Sequence, residues 1–374
     1  MSRVLKVGLA GCGSVAQRGL IPHLSQPDLR DRIEFRAVMD PVEGRAKATA
    51  ERYHIPLWYE DYDEMLEKAD LDVVVLASPI GFHFEQGMKA VQAGKHVHFN
   101  KTMTTTKAEA DELIAAAKAK GVKLVASPGQ MQRAMYQEAK RLLQEGVIGM
   151  LYCAIAGRSW IGHEYESFRE GEDITANVNP LWYYQKRAGG GPMYDMVVYS
   201  MHTLTGILGP AKRVMGMSGI GLPERYFKDQ RVVVDMDDNT HLLIEFDKGV
   251  FAHVYGTFAS GPRRPELQFS GSSGSMDLGR EGIKVYGDPA LFGVRQAVLE
   301  APASAFGNLP YVTGVHVNLP ESHVFSDIMH LVDCVLNDKE PVVSAEHARH
   351  VIEIFEAGYR SAQTGQVQEI TTTF

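Results

Sequence analysis

The chain opens on an apolar run, Val4-Leu5-Lys6-Val7-Gly8-Leu9, that leads directly into Gly11-Cys12-Gly13-Ser14-Val15-Ala16. A strand followed at once by G-x-G-x-x-A and the start of a helix restricts the fold more than any other feature of the sequence. Gly11 permits the tight strand-to-helix turn. Gly13, with no Cβ, lets a pyrophosphate approach the backbone. Ala16 lets helix and strand pack closely. The helix N-terminus, beginning around Gly13, Ser14 and Val15, then offers free N–H groups and a partial positive charge to a phosphate.

A second strand follows at Ile33-Glu34-Phe35-Arg36-Ala37-Val38-Met39 and stops at Asp40-Pro41. A carboxylate about 20 or more positions beyond the glycines is placed to accept hydrogen bonds from an adenosine ribose. It would repel a 2′-phosphate, so Asp40 favours NAD over NADP, and Arg45 nearby softens that preference. The alternative is that Asp40 only caps a helix beginning near Pro41.

Composition narrows the class. At 374 residues, two domains are expected. Hydrophobic residues make up 45% and charged residues 22%, ordinary proportions for a globular enzyme. A net charge of −8 argues against nucleic acid as a partner. No apolar run is long enough to span a bilayer, and the first apolar residues read as a strand instead of a signal peptide. Cys12, Cys153 and Cys334 are an odd, widely spaced set that suggests reduced thiols in a cytoplasmic protein. Cys12 reads as a small filler in the loop. The pairs His96/His98 and His347/His350 lack a third ligand, so no metal site is expected.

Along the chain, helices are expected at 46–53, 62–68, 84–93 and 107–120. Strands are expected at Leu57-Trp58-Tyr59, 71–77, His96-Val97-His98-Phe99 and 122–126. This alternation predicts a doubly wound parallel sheet, the Rossmann type of α/β domain, over residues 1–126. From residue 127 the texture changes. After a helix at 135–145 come strands at 150–156, 214–218, 231–236, 241–246, 251–258 and 267–271, several without helices between them. The segment from Phe246 to Phe251 reads as a hairpin turning near Lys248-Gly249. Loops are expected at 261–265 and 302–317, and helices at 322–336 and 345–363. Residues 127–374 are therefore read as an α+β substrate-binding and oligomerisation domain with a large, mostly antiparallel open sheet. Such a sheet leaves one face to be covered, so a homo-oligomer built on it is expected.

Two further segments carry a family resemblance: Ala93-Gly94-Lys95-His96-Val97-His98-Phe99-Asn100-Lys101-Thr102, and Gly189-Gly190-Gly191-Pro192-Met193-Tyr194-Asp195-Met196-Val197-Val198-Tyr199. With the N-terminal loop, they resemble the glucose–fructose oxidoreductase / inositol dehydrogenase / MocA family over nearly the whole chain. The family's Glu-Lys-Pro is Asn100-Lys101-Thr102 here, so the lysine remains and the proline, whose preceding bond is commonly cis, does not. The family's Pro-Asn-x-x-His is Pro79-Ile80-Gly81-Phe82-His83, and the usual glycine two positions after the helix aspartate is Val197. The resemblance implies an NAD(P)-dependent oxidoreductase acting on a secondary alcohol of a sugar, sugar derivative or cyclic polyol. It implies cofactor contacts at Ser78, Pro79, His83, Asn100 and Lys101, and a homodimer or homotetramer built on the second sheet.

Lys101 stands at a strand's C-terminal end, where it can bind a substrate hydroxyl, or take its proton if burial and a neighbouring cation lower its pKa. Asp195 and Tyr199 match the family's helix aspartate and its proton-transferring His or Tyr. His202 joins them on helical phase alone, since i, i+4 and i+7 share one face. These four are the expected catalytic residues. The loop holding Arg158, Trp160, His163, Glu164, Tyr165, Trp182 and Tyr183 suits carbohydrate or a subunit contact, with Arg158, Trp160 and His163 the expected substrate contacts. Two other readings stand beside the dehydrogenase: a redox-assisted glycoside hydrolase or lyase that retains NAD, and a non-catalytic nucleotide-sensing protein.

Overall fold

Six strands, β1 (Leu5–Ala10), β2 (Ile33–Met39), β3 (Leu57–Tyr59), β4 (Val73–Leu76), β5 (His96–Phe99) and β6 (Leu124–Ala126), form a parallel sheet in the order β3-β2-β1-β4-β5-β6. The structure, a computed structural model, describes residues 3–169, 173–176, 178–261, 267–288 and 297–374. All four residues of β4 are buried, as befits a parallel strand covered on both faces. The register runs from Val7 opposite Val73 to Leu76 opposite Phe99, so Gly11, Asp40, Ser78, Lys101 and Ser127 all follow strand ends on one edge. Ligands bind at that edge in sheets of this kind.

The second sheet has nine strands in the order β16-β15-β14-β13-β7-β12-β11-β8-β17. They are β7 (Leu151–Ser159), β8 (Arg213–Gly219), β11 (Asn239–Glu245), β12 (Phe251–Thr257), β13 (Leu267–Gly271), β14 (Gly274–Gly279), β15 (Gly282–Gly287), β16 (Ala297–Pro302) and β17 (Gln368–Glu369). Among the described residues, only the β7/β12 pair of this sheet is parallel. Alternation is clean: Val214, Leu242, Ile244, Ala252, Val254 and Phe269 are buried with Val198, Met201 and Leu204 of the helix Val198–Leu208. The opposite face exposes Met215, Met217, Leu243, Phe251 and Ile155.

Several expectations are corrected. Residues 231–236 do not join the large sheet; β9 (Glu224–Phe227) and β10 (Gln230–Val233) form a separate two-stranded ribbon. The alternative in which Asp40 caps a helix near Pro41 fails, since the helix expected at 46–53 spans Arg45–Tyr53 with Gly44 at its N-cap. The loop expected at 261–265 lies, beyond Gly261, outside the described residues. Apart from these corrections, packing links the two halves of the chain. Val324, Phe325, Ile328 and Met329 of the helix Ser322–Leu336 lie in the same core as Leu5, Val7 and Val75. The helix Ala345–Thr364 serves both halves: Ala345, Ala348 and Ile352 pack with β4 and β5, while Ile354, Phe355 and Ala357 pack with the second sheet. Among the described residues no helix is long and apolar enough to cross a membrane.

Candidate active site

The glycine loop takes the shape its chemistry requires. Gly11 has φ +97°, and a Cβ there would lie 2.7 Å from the Ala77 carbonyl carbon. At Gly13 a Cβ would meet only Val178 Cγ1, at 4.0 Å, so the space beside it is open. The following helix runs through a wide turn at Ala16–Leu20, and Ser14 Oγ near its start is buried without a partner among the described residues. An unpaired buried hydroxyl and an open glycine at a helix N-terminus fit a phosphate group. Burial pushes the Cys12 thiol up to about 12, so it is no nucleophile.

Asp40 braces this loop. Its Oδ2 accepts the Cys12 N–H at 2.9 Å, and its Oδ1 accepts the Val42 N–H at 3.0 Å and faces Arg45 Nη1 at 3.3 Å. It therefore closes a turn on Val42, and Gly44 caps the helix. Arg45 Nε donates to the Ile174 carbonyl at 3.1 Å.

At the next strand ends, Ser78 Oγ meets Gln86 Oε1 at 2.5 Å, Pro79 precedes a short turn at Ile80–Phe82, and Asn100 Oδ1 accepts the Lys101 N–H at 2.9 Å. His83 corrects its expectation. It is fully buried, with Nδ1 2.8 Å from the Thr102 carbonyl and Nε2 2.9 Å from the Ser78 carbonyl. Both ring nitrogens are thus engaged by the two loops it joins, and neither is open to a ligand. The Lys101–Thr102 peptide is cis although no proline is present.

In the second domain, the helix Val198–Leu208 is preceded by a π turn at Met193–Val197. Turns of this kind recur at functional sites. This one holds Asp195, whose backbone carbonyl accepts from Lys101 Nζ at 2.7 Å and whose Oδ1 pairs with the same ammonium. Asp195 Oδ2 meets His163 Nε2 at 2.6 Å. His163 Nδ1 stands 3.1 Å from Glu166, which Arg169 Nε contacts at 2.9 Å, and the Tyr183 ring lies 4.2 Å from the imidazole. Lys101 Nζ and the Arg158 guanidinium each lie 5.7 Å from the Tyr199 ring centre. The Tyr199 hydroxyl is 3.1 Å from His323 Nε2.

The charges follow from this geometry. Burial would raise the Asp195 carboxyl, but Lys101 and then His163 hold it well below the usual range. Burial would lower Lys101, but Asp195 outweighs it and keeps the ammonium above its ordinary value. The expectation that Lys101 could give up its proton through a lowered pKa is therefore corrected: its neighbour is a carboxylate. Burial would also lower His163, yet Asp195 and Glu166 push it up to about 9. The Tyr199 phenol is raised to about 12 by burial, with Lys101 opposing.

Not every expected residue arrives here. The His202 ring packs 4.6 Å from that of His347, away from Asp195's partners, and burial holds it down to about 3. The π turn at Met193–Val197 shifts the helical phase, so Asp195 and Tyr199 still share a face while His202, at i+7, turns away from it. Trp160 packs with Leu181, Tyr184 and Phe258, its Nε1 unpaired among the described residues. Glu164 is buried against Arg225, Tyr165 is exposed, and Trp182 lies between Phe82 and Arg187. Sequence reasoning missed Glu166, Arg169 and His323. For His323, 124 residues from Tyr199, no local pattern could have supplied the link. Among the described residues, no group of three or more His, Cys, Asp or Glu is arranged to hold a metal ion.

Comparison with known proteins agrees with this layout. The model of the oxidoreductase family with an NAD-binding Rossmann fold matches residues 5–127, and that of the GFO/IDH/MocA C-terminal domain matches residues 136–277. The chain is 28% identical over 290 residues to a dTDP-3,4-didehydro-2,6-dideoxy-alpha-D-glucose 3-reductase of Actinomadura kijaniata, covering 77% of each. It is 26% identical over 335 residues to scyllo-inositol 2-dehydrogenase (NAD(+)) of Bacillus subtilis (strain 168), covering 88% of this chain and 86% of that one. The fold matches levoglucosan dehydrogenase in complex with NADH at a TM-score of 0.79, with 19% identity over 99% of this chain and 100% of the other.

Proposed function

The chain belongs to the GFO/IDH/MocA oxidoreductase family, and from that premise we propose that it oxidises a secondary alcohol of a sugar, sugar derivative or cyclic polyol, or reduces the corresponding ketone. The observation that carries the reading is the contact of Lys101, from the dinucleotide-binding edge, with Asp195 and through it His163, from the second domain, beside the Tyr199 phenol.

A bound nicotinamide supplies the hydride chemistry. Ser14 and the open backbone at Gly13 would hold its pyrophosphate. Asp40 would face the adenosine ribose and repel a 2′-phosphate. Its one ion-pair partner among the described residues, Arg45, is engaged with Asp40 and the Ile174 carbonyl, which favours NAD over NADP. Lys101 and His163 are both cations fixed on Asp195. Neither is free to accept a proton, so they orient the substrate oxygen and stabilise negative charge on it. Tyr199 is left as the group that exchanges the hydroxyl proton, with Arg158 beside it for a further hydroxyl.

A second copy of the chain is proposed to cover the open face of the second sheet, where Met217 and Leu243 are 78% and 52% exposed. That makes the protein a homodimer, or a homotetramer if a second contact is used.

The test is absorbance at the NADH band over a panel of polyols and sugars. Net NADH formation supports the dehydrogenase. Sugar cleavage without net NADH supports the redox-assisted hydrolase or lyase. Dinucleotide binding with neither supports a sensor.

A further inference from the structure

A phenol raised to about 12 is not ionised near neutral pH, so Tyr199 can take a proton only while passing its own onward. A recipient is in place. His323 opens the helix Ser322–Leu336, and its Nε2 lies 3.1 Å from the Tyr199 hydroxyl, the two rings meeting edge to face at 5.4 Å. Its Nδ1 faces Glu321 Oε2 at 3.8 Å. Glu321 Oε1 in turn accepts from Arg18 Nη2 at 2.6 Å, where the Arg18 side chain is 40% exposed. The line Tyr199–His323–Glu321 thus runs from the site to a carboxylate beside solvent.

We propose that His323 is the proton relay of this site, a positioning residue that acts through Tyr199; the proposal rests on the dehydrogenase reading. With its proton on Nδ1, toward the Glu321 carboxylate, His323 presents Nε2 as an acceptor for the Tyr199 O–H. The phenol oxygen then has lone pairs left for the substrate hydroxyl. In oxidation the substrate O–H bond breaks and its proton goes to Tyr199 Oη. The Tyr199 O–H bond breaks and its proton goes to His323 Nε2. The Nδ1 proton leaves toward Glu321 and water. The C–H electron pair departs as hydride to the oxidised dinucleotide, and a carbonyl remains. Tyr199 is neutral before and after.

The groups facing His323 suit transit over storage. Arg133, Lys101 and Arg158 act on it as cations, and they add to burial in holding the imidazole down to about 3. An imidazolium does not persist there, so a proton arriving at Nε2 is matched by one leaving Nδ1. Closing the 3.8 Å gap needs a Glu321 movement of about 1 Å.

Two measurements test the relay. In histidine-labelled protein without substrate, nitrogen NMR is expected to place the His323 proton on Nδ1 and to show a Tyr199→Phe shift at Nε2. A proton found on Nε2 overturns the proposal. In turnover, His323→Gln is expected to lower kcat about 30- to 100-fold with KM and dinucleotide affinity within about twofold, and added imidazole is expected to restore His323→Ala at least about tenfold. An unchanged kcat in both variants overturns the relay alone. A joint loss of kcat, KM and dinucleotide affinity without imidazole rescue shows a merely structural role and also overturns it. If the unaltered protein forms no NADH on any polyol or sugar, the dehydrogenase reading fails and the relay with it.

Discussion

Replacing Asp195 by Asn removes one negative charge from between two cations while keeping the shape of the side chain. Asp195 is 3% exposed, and its partners Lys101 and His163 are 16% and 14% exposed, so solvent does little to screen the loss. Breaking a buried pair of this kind costs about 3–5 kcal/mol. The His163 part can be worked separately. Its rise from 6.5 to about 9 corresponds to about 3 kcal/mol. Because the folded value lies above the unfolded one, that stabilisation is fully present below pH 6.5 and fades as pH rises through about 9. In Asp195→Asn the larger attraction is gone, and only Glu166 is left to oppose burial at His163. The deficit of the variant against the unaltered protein is therefore largest near pH 6 and shrinks toward about pH 9.5 by the Asp195 share of that stabilisation. The other buried histidines, such as His98 and His202, have lowered values and act in the opposite direction with pH. They are common to both proteins and cancel in the difference. Urea unfolding followed by tryptophan fluorescence across that pH range measures it. A deficit below about 1 kcal/mol at pH 6, or one that stays constant or grows toward pH 9.5, would refute the picture of a charge-locked Lys101–Asp195–His163 cluster.

Other consequences are as direct. Lys101→Met is expected to lower kcat at least about 100-fold with dinucleotide affinity within about threefold, measured by steady-state kinetics and by NADH fluorescence titration. Asp40→Ala loses the brace on the Cys12 N–H as well as the charge proposed to face the ribose. Its NAD affinity should fall about tenfold and its preference over NADP should narrow, as read by calorimetry with both dinucleotides. Leu243→Asp places a charge in the middle of the open sheet face and is expected to reduce the mass seen in sedimentation to that of one chain.

The first half of the molecule is legible because its information is local. Each strand is followed within a few residues by its helix, and Gly11, Gly13 and Asp40 sit at fixed offsets from strand ends. The second half is less so. Strands β14 and β15 are flanked by Gly274, Gly279, Gly282 and Gly287, residues that locally signal turns, and only pairing with neighbours makes them strands. In the site, Lys101, Asp195 and Tyr199 were found because they fall in recognisable segments. His163 was visible only as one polar residue in an aromatic loop. His202 was misplaced because uniform 3.6-residue spacing was assumed through a stretch that widens at Met193–Val197. His323 depends on a tertiary contact and leaves no trace in spacing.

The helix Ala345–Thr364 contributes to two cores at once. A rod embedded in both halves ties their relative position to the interior packing of each, so the Lys101–Asp195 contact cannot be parted by a simple hinge without tearing apolar contacts on one side. The spacing of the site is then a built-in dimension. A ligand that enters must match it from the start, and loss of either core should propagate along the helix and bring down the other in a single cooperative transition.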